Sequence, residues 1–372
     1  MTETRPDWPT RLAALRRQWQ ASSASPGTQV CVVSSAINIT YLTGFRGSAG
    51  LLIQSDDGEV LLLDGRYMNV ATEARAGGAL ASVSIEKVDK SYDVALAGAL
   101  VRLGASRITF ESDHVTVSDL TRWQSATSAD WHGEPGLVER LRLIKDAGEI
   151  AILRRAGVAL IGVASRLGEW VAEGRTEREV AADINRGLER AGFERPAFDT
   201  IVAGGPNSAH PHAHPGDRPL ADGDLVVLDF GGVLDGYCVD LTRMAAVGRL
   251  RGEAEAIYRA VREAQQAALN VIRAGTTAGA VDGAARQVLD RHGLGAAFVH
   301  GTGHGLGLEV HEAPRLSSVA GSEELLRTGM VCTIEPGAYV PGVGGVRLED
   351  DVLVTDTGAE LLTPGPRDLL TV

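Results

Sequence analysis

Over roughly the first 135 residues, short β-branched runs alternate with stretches whose apolar residues recur at helical spacing, the pattern of a sheet with covering helices. Residues 29–34 read as a strand. Residues 51–53 and 60–63 flank Asp56-Asp57-Gly58 as a hairpin, and 92–103 read as a helix. The pattern breaks at Glu134-Pro135-Gly136, and from 137 to 171 apolar positions keep helical spacing for longer than in any earlier element. A second helix is announced by the capping box Thr176-x-x-Glu179, in which each side chain satisfies the other residue's free backbone N–H, and it stops near Gly192. Two more helices read at 253–274 and 278–292. Strand-rich segments at 224–230, 237–247, 330–334 and 345–354 fall between and after these helix pairs.

The order helix pair, strands, helix pair, strands predicts an α+β domain with an internal pseudo-repeat, although the two halves share no obvious residue identity. A boundary at the Pro135-Gly136 break gives domains of 1–135 and 136–372. The length of 372 residues agrees with two domains, since a single core stops growing at roughly 250–300.

Composition narrows the class of partner. Lys plus Arg number 36 against 48 Asp plus Glu, a formal net charge of −12, and no basic run interleaves with aromatics, so nucleic acid is not an expected partner. No stretch reaches the roughly 20 apolar residues needed to span a bilayer, which makes a cytoplasmic protein with no membrane partner the simplest expectation. Cys31, Cys238 and Cys332 form no C-x-x-C and no paired framework; each sits in an apolar run and is expected to be a buried packing residue in a reducing compartment.

Four segments carry candidate chemistry. In the first, the apolar run ending at Asp229 turns through Asp235-Gly236 and returns to Asp240. If that turn closes a hairpin, the two acids converge on one face, where a metal ion is one way to compensate buried carboxylates and a salt-bridged turn is another. In the second, His300, His304 and His311 lie within twelve residues amid glycines that let the backbone approach whatever the imidazoles touch. The third is Thr333-Ile-Glu335-Pro-Gly followed by Gly345-Val-Arg347-Leu-Glu349-Asp350. Four carboxylates and one imidazole make an oxygen-rich set suited to two divalent ions such as Mn²⁺, Co²⁺ or Zn²⁺. The fourth is Asn207-Ser-Ala-His210-Pro-His212-Ala-His214-Pro, a loop stiffened by prolines; its histidines could form a further metal tract, a catalytic loop or an inert exposed loop.

These segments, in this order, resemble the pita-bread metallopeptidases and within them the Xaa-Pro aminopeptidases and Xaa-Pro dipeptidases (prolidases). The resemblance rests on Asp229 and Asp240 with Thr242-Arg243, on G-H-G at 303–305, V-H-E at 310–312, T-I-E-P-G at 333–337 and G-V-R-x-E-D at 345–350. Residues 41–50 and Asp64-Gly-Arg-Tyr67 resemble the N-terminal domain of the same enzymes and of creatinases, so the fold implied is a creatinase-like α/β domain followed by a pita-bread domain. The resemblance implies two divalent ions per subunit, manganese foremost and cobalt or zinc as alternatives. Asp229 would chelate one ion, His304 and Glu335 the other, and Asp240 and Glu349 would bridge both. It further implies that His212 and His311 contact substrate, that Glu335 carries a proton, and that His300, Arg347 and Tyr339 support the site. His210 and His214 receive no role.

The implied activity is hydrolysis of the Xaa-Pro bond at peptide N-termini, with the aminopeptidase expected over the dipeptidase and a homodimer expected by analogy. A catalytically inactive, peptidase-like binding protein is the alternative from another class. Creatinases lack the ligand set, and methionine aminopeptidases lack the N-terminal domain.

Overall fold

Val30 and Val32, and likewise Leu51 and Ile53, alternate along extended backbone and are buried together with Leu62, forming the core of a six-stranded sheet. This computed structural model describes residues 6–21, 28–250, 252–319 and 323–372. The sheet runs in the order Ser84–Val88, Gly58–Asp64, Leu51–Ser55, Gln29–Val33, Arg107–Glu111, Asp130–Glu134. Leu51–Ser55 pairs antiparallel with both of its neighbours, and the other three pairings are parallel. Ser55 pairs with Gly58, so Asp56-Asp57 closes the expected hairpin.

This unit extends to Arg142 and a second unit begins at Leu143, later in the chain than the expected break at Pro135. The intervening residues are bound to the first unit: Leu137 and Val138 are buried, Asn38 Nδ2 donates to Glu139 Oε1 at 2.6 Å, and Arg142 Nη1 donates to Asn38 Oδ1 at 2.8 Å. The single long helix expected over 137–171 is instead three helices, Glu139–Arg142, Ala147–Ala164 and Leu167–Trp170. A capping box starts the middle one, with Asp146 accepting from the Glu149 N–H at 2.9 Å and Glu149 accepting from the Asp146 N–H at 3.0 Å. Leu143 stays buried through the break, so helical spacing of the apolar residues survives an interruption that the backbone does not.

Among the described residues the second unit holds two five-stranded sheets and a two-stranded one. Helices Ala147–Ala164 and Glu177–Arg190 pack with Phe230, Val239 and Leu241 in one core, while Glu253–Val271 and Ala278–Arg291 pack with Val346, Leu348 and Val352 in another. The expected strand over 345–354 is two: Gly344–Arg347 pairs with Gly337–Val340, and Asp350–Val354 pairs with Val331–Ile334 in a different sheet. Glu349 sits at the crossing.

The pseudo-repeat is visible in the backbone. Gly174 and Leu220 are joined by N–H donation from Gly174 at 2.8 Å, and Gly275 and Leu326 are joined in the same way at 2.8 Å. Thr176 and Thr277 each N-cap the second helix of their pair and each makes an isolated bridge, to Pro219 and to Leu325. Gly223 then donates to the Val247 carbonyl as Gly329 does to that of Val354. All three cysteines are buried and free. Among the described residues no helix is long and apolar enough to cross a membrane.

Candidate active site

Strands Leu225–Leu234 and Tyr237–Ala246 form the hairpin expected around Asp235-Gly236, both turn residues having positive φ, 50° and 83°. Asp229 lies directly opposite Thr242, and Asp240, two residues before Thr242, shares its face, so both acids point to one side of the sheet.

His304 comes from the short strand Gly303–Gly305, which is irregular in register between His304 and Gly305. A side chain at either glycine would collide with backbone: a Cβ on Gly303 would lie 2.0 Å from the Thr333 carbonyl oxygen, and one on Gly305 2.0 Å from that of Ala313. This close approach brings the imidazole to Glu335, with Nε2 3.2 Å from Oε1, while Nδ1 lies 3.1 Å from the Gly305 carbonyl. Glu335 is fixed by its own N–H, which donates to the Thr302 carbonyl at 2.7 Å, and by the Thr333 hydroxyl, which donates to Oε1 at 3.0 Å. Ligand atoms of Asp240, His304 and Glu349 all lie within 4.8 Å of one another.

A buried guanidinium ties the two halves of the site. Arg347 donates through Nη2 to Asp229 at 2.5 Å, through Nη1 to the Tyr339 hydroxyl at 2.6 Å, and through Nε to Thr242 Oγ1 at 3.1 Å. Thr242 in turn donates to Glu349 Oε2 at 2.7 Å. His300 Nε2 pairs with the Tyr339 hydroxyl at 3.0 Å, and His311 meets the His304 ring edge-on with centroids 4.3 Å apart. A cleft of about 620 Å³ is lined by the four acids and the imidazole of the ligand set, by His212, His300, His311 and Arg347, and by Phe198, Ile201 and Arg315.

The profile of "Metallopeptidase family M24" matches residues 151–356, and that of the "Creatinase/Prolidase N-terminal domain" matches residues 11–144. The chain belongs to metallopeptidase family M24. The protein of Pyrococcus furiosus named Xaa-Pro dipeptidase is 34% identical over 340 residues, 91% of this chain and 94% of that protein. A solved structure described as an Xaa-Pro dipeptidase from Bacillus anthracis superposes with a TM-score of 0.92 at 34% identity, covering 98% of this chain and 100% of that one. An X-Pro aminopeptidase from Thermotoga maritima MSB8 gives 0.87 at 31% identity, covering 96% and 100%. The fold is therefore the creatinase-like domain followed by the pita-bread domain, and the protein is a metal-dependent hydrolase.

The electrostatics of this metallopeptidase fit a cation. Burial first, and then the neighbouring acids, push the Asp240 and Glu349 carboxyls well above the ordinary carboxylate range, and burial raises Asp229 against the pull of Arg347. Burial also opposes ionisation of Glu335, but the hydrogen bond and charge of His304 outweigh it and hold the group at about 2. Asp229 Oδ1, Asp240 Oδ1 and Glu349 Oε1 are buried and have no hydrogen-bond partner among the described residues. Buried carboxylate oxygens without donors are costly, and divalent ions are the partners that oxygen-rich sets accept.

Every predicted site residue except Tyr339 lines the cleft; Tyr339 is buried behind it, between His300 and Arg347. Of the two histidines without a role, His214 lines the cleft and His210 is not among its lining residues. Three further residues of the site had no role assigned from the sequence. Thr242 shares the face of Asp240 at strand spacing and was within reach of the hairpin argument. Asp351, which accepts from the Asp240 N–H at 2.9 Å, and Arg315 carry no local signal, because sheet pairing alone brings them in.

Proposed function

We propose that this metallopeptidase hydrolyses the Xaa-Pro bond and that free Xaa-Pro dipeptides are its preferred substrates. The observation that carries the second part is Arg315. It pairs directly with His304 in the antiparallel register and so projects from the same face, lines the cleft, is exposed, and has no ion-pair partner among the described residues. A free guanidinium beside a cluster of carboxylates suits the terminal carboxylate of a dipeptide, which a longer peptide lacks at that position. Proline specificity is supported by the names of the relatives described above. The dipeptide reading replaces the aminopeptidase expected from sequence.

Asp229 would hold one divalent ion, His304 and Glu335 the other, with Asp240 and Glu349 shared between them, manganese being the proposed metal and cobalt or zinc the alternatives. Bound ions supply Lewis acidity, making hydroxide available near neutral pH and polarising the scissile carbonyl. The chain's residues do the rest. Glu335, ionised across the working range, accepts the proton of the attacking water and delivers it to the departing proline nitrogen. His311, whose pKa is lowered by burial and by the charge of His304, donates as a neutral imidazole to the oxyanion, and His212 contacts the substrate from the opposite loop. His300 and Tyr339 keep Arg347 aimed at Asp229.

The test compares kcat/KM for an Xaa-Pro dipeptide and an Xaa-Pro-Xaa tripeptide after loading with each of the three metals. Faster dipeptide hydrolysis is expected. Faster tripeptide hydrolysis overturns the dipeptide assignment, and no cleavage of either overturns proline specificity. Assembly as a homodimer in the cytoplasm belongs to the same proposal, and a monomeric sedimentation mass would remove the dimer.

A further inference from the structure

The loop that carries His212 is held at both ends by one carboxylate outside the cleft. Glu177 is fully buried. Its Oε1 accepts from the Gly204 N–H at 2.8 Å and from Asn207 Nδ2 at 3.0 Å, ahead of the histidines, and its Oε2 accepts from the Gly216 N–H at 3.0 Å, after them. The backbone adds to the grip, since the Glu177 and Arg178 N–H groups donate to the carbonyls of Arg218 and Gly216 at 3.2 and 3.1 Å.

Glu177 stands in the first turn of helix Glu177–Arg190, where an acid usually serves the helix itself. That service is already supplied here. Thr176 and Glu179 form the capping box, and the three donors to the Glu177 carboxylate all belong to the loop. Between the two clamped ends the loop touches the Arg347 strand twice. The Gly345 N–H donates to Ser208 Oγ at 2.8 Å, and Arg347 Nη1 donates to the Pro211 carbonyl at 3.3 Å, one residue from His212. The second half of the pseudo-repeat uses the same device. Asp282, also buried, accepts from the N–H and hydroxyl of Thr302 at 3.0 and 2.9 Å and from the Ser318 N–H at 2.9 Å, bracketing the two-strand segment that carries His304 and His311.

We infer that Glu177 is a positioning residue for His212, setting the reach of that imidazole into the cleft by fixing both ends of its loop. The inference rests on the reading of His212 as a substrate-contacting residue. A carboxylate is required because only four lone-pair sites and no hydrogen can serve three converging donors; a carboxamide of the same shape turns an N–H toward one of them.

Glu177→Gln and His212→Ala are made singly and together in the full-length, metal-loaded protein and assayed on an Xaa-Pro dipeptide, with metal content and amide exchange measured in parallel. Glu177→Gln is expected to keep its metals, to exchange the Gly204 and Gly216 amides faster, and to lose roughly 10- to 100-fold in kcat/KM. On the His212→Ala background it is expected to cause no further loss, because its effect passes through that imidazole. Asn207→Ala removes one donor and leaves the charge in place; it should show a smaller loss with the same dependence on His212, and it serves if Glu177→Gln does not fold. Wild-type kcat/KM in a folded Glu177→Gln protein, or an equal loss on both backgrounds, overturns the inference and leaves the role of His212 intact. Full activity in His212→Ala overturns both.

Discussion

Arg347 and Asp229 form a buried ion pair at 2.5 Å in which Asp229 Oδ2 accepts from the guanidinium and Oδ1 has no hydrogen-bond partner among the described residues. The carboxylate is thus fixed on one oxygen and presented on the other. The same guanidinium holds Tyr339 and Thr242, so its planar fork donates from three separated nitrogens where a lysine ammonium donates from one point. Arg347→Lys is expected to lower kcat/KM roughly 10- to 100-fold while the protein remains folded. Steady-state kinetics with metal analysis check this, and a lysine variant at wild-type rate would show that Asp229 needs only a nearby charge.

The glycines around His304 make a sharper steric prediction. A Cβ on Gly303 falls 2.0 Å from the Thr333 carbonyl oxygen, and backbone on both sides leaves little freedom to adjust. Gly303→Ala should therefore displace His304 from Glu335, reduce the metal retained per subunit, and destabilise by about 1–3 kcal/mol. Gly283, on a helix with nothing within 4 Å of its added Cβ, is the control: Gly283→Ala should be neutral or stabilise by up to about 1 kcal/mol. Metal analysis and thermal melts of the pair decide it, and equal behaviour of the two variants would reject the steric account.

How much of this was legible beforehand depends on whether a feature is local in sequence. The Asp229–Asp240 hairpin could be read because a two-residue Asp-Gly turn demands positive φ at both positions and strand alternation then fixes the face. The three helices from Glu139 to Trp170 could not, because Leu143 remains buried across the break and the capping box at Asp146 is hidden inside a continuous apolar rhythm. The position of Glu349 was legible but its setting was not: the expected strand changes sheet at that residue, a tertiary event without a sequence marker. Glu177 looked like an ordinary first-turn acid. Its three partners lie 27 to 39 residues away, beyond any periodicity.

Arg315 separates recognition of the substrate from chemistry. The side chain is exposed, lines the cleft and, among the described residues, forms no ion pair with Glu335, the group assigned to proton transfer. Arg315→Gln is expected to raise KM for an Xaa-Pro dipeptide roughly tenfold or more, an interaction with a charged group contributing about 1.5–3 kcal/mol, and to leave the tripeptide nearly unaffected. Equal losses on both substrates would assign Arg315 to the general field of the cleft and not to a carboxylate.

Removal of the metals should make stability depend on pH in an unusual direction. Burial, followed by the charges of neighbouring acids, raises Asp240 and Glu349 well above the ordinary carboxylate range in the metal-free fold, and burial raises Asp351 in the same way. In the unfolded chain such groups titrate near ~4. Above that value the folded protein binds more protons than the unfolded chain, so stability falls as pH rises, until the folded groups themselves titrate. Glu335, held at about 2, acts in the opposite sense, but its contribution is complete above the unfolded value and is lost only as pH falls toward 2. It adds no slope near neutrality, where the raised acids dominate. Bound divalent ions displace these protons and compensate the charges, which removes the slope and adds stability by mass action. The difference in melting temperature between metal-loaded and chelator-stripped protein should therefore widen as pH rises above the ordinary carboxylate range. Scanning fluorimetry of both forms across that rise tests it, and a difference that stays constant or narrows toward alkaline pH would mean that the buried carboxyls are already ionised, and compensated within the protein, when no metal is bound.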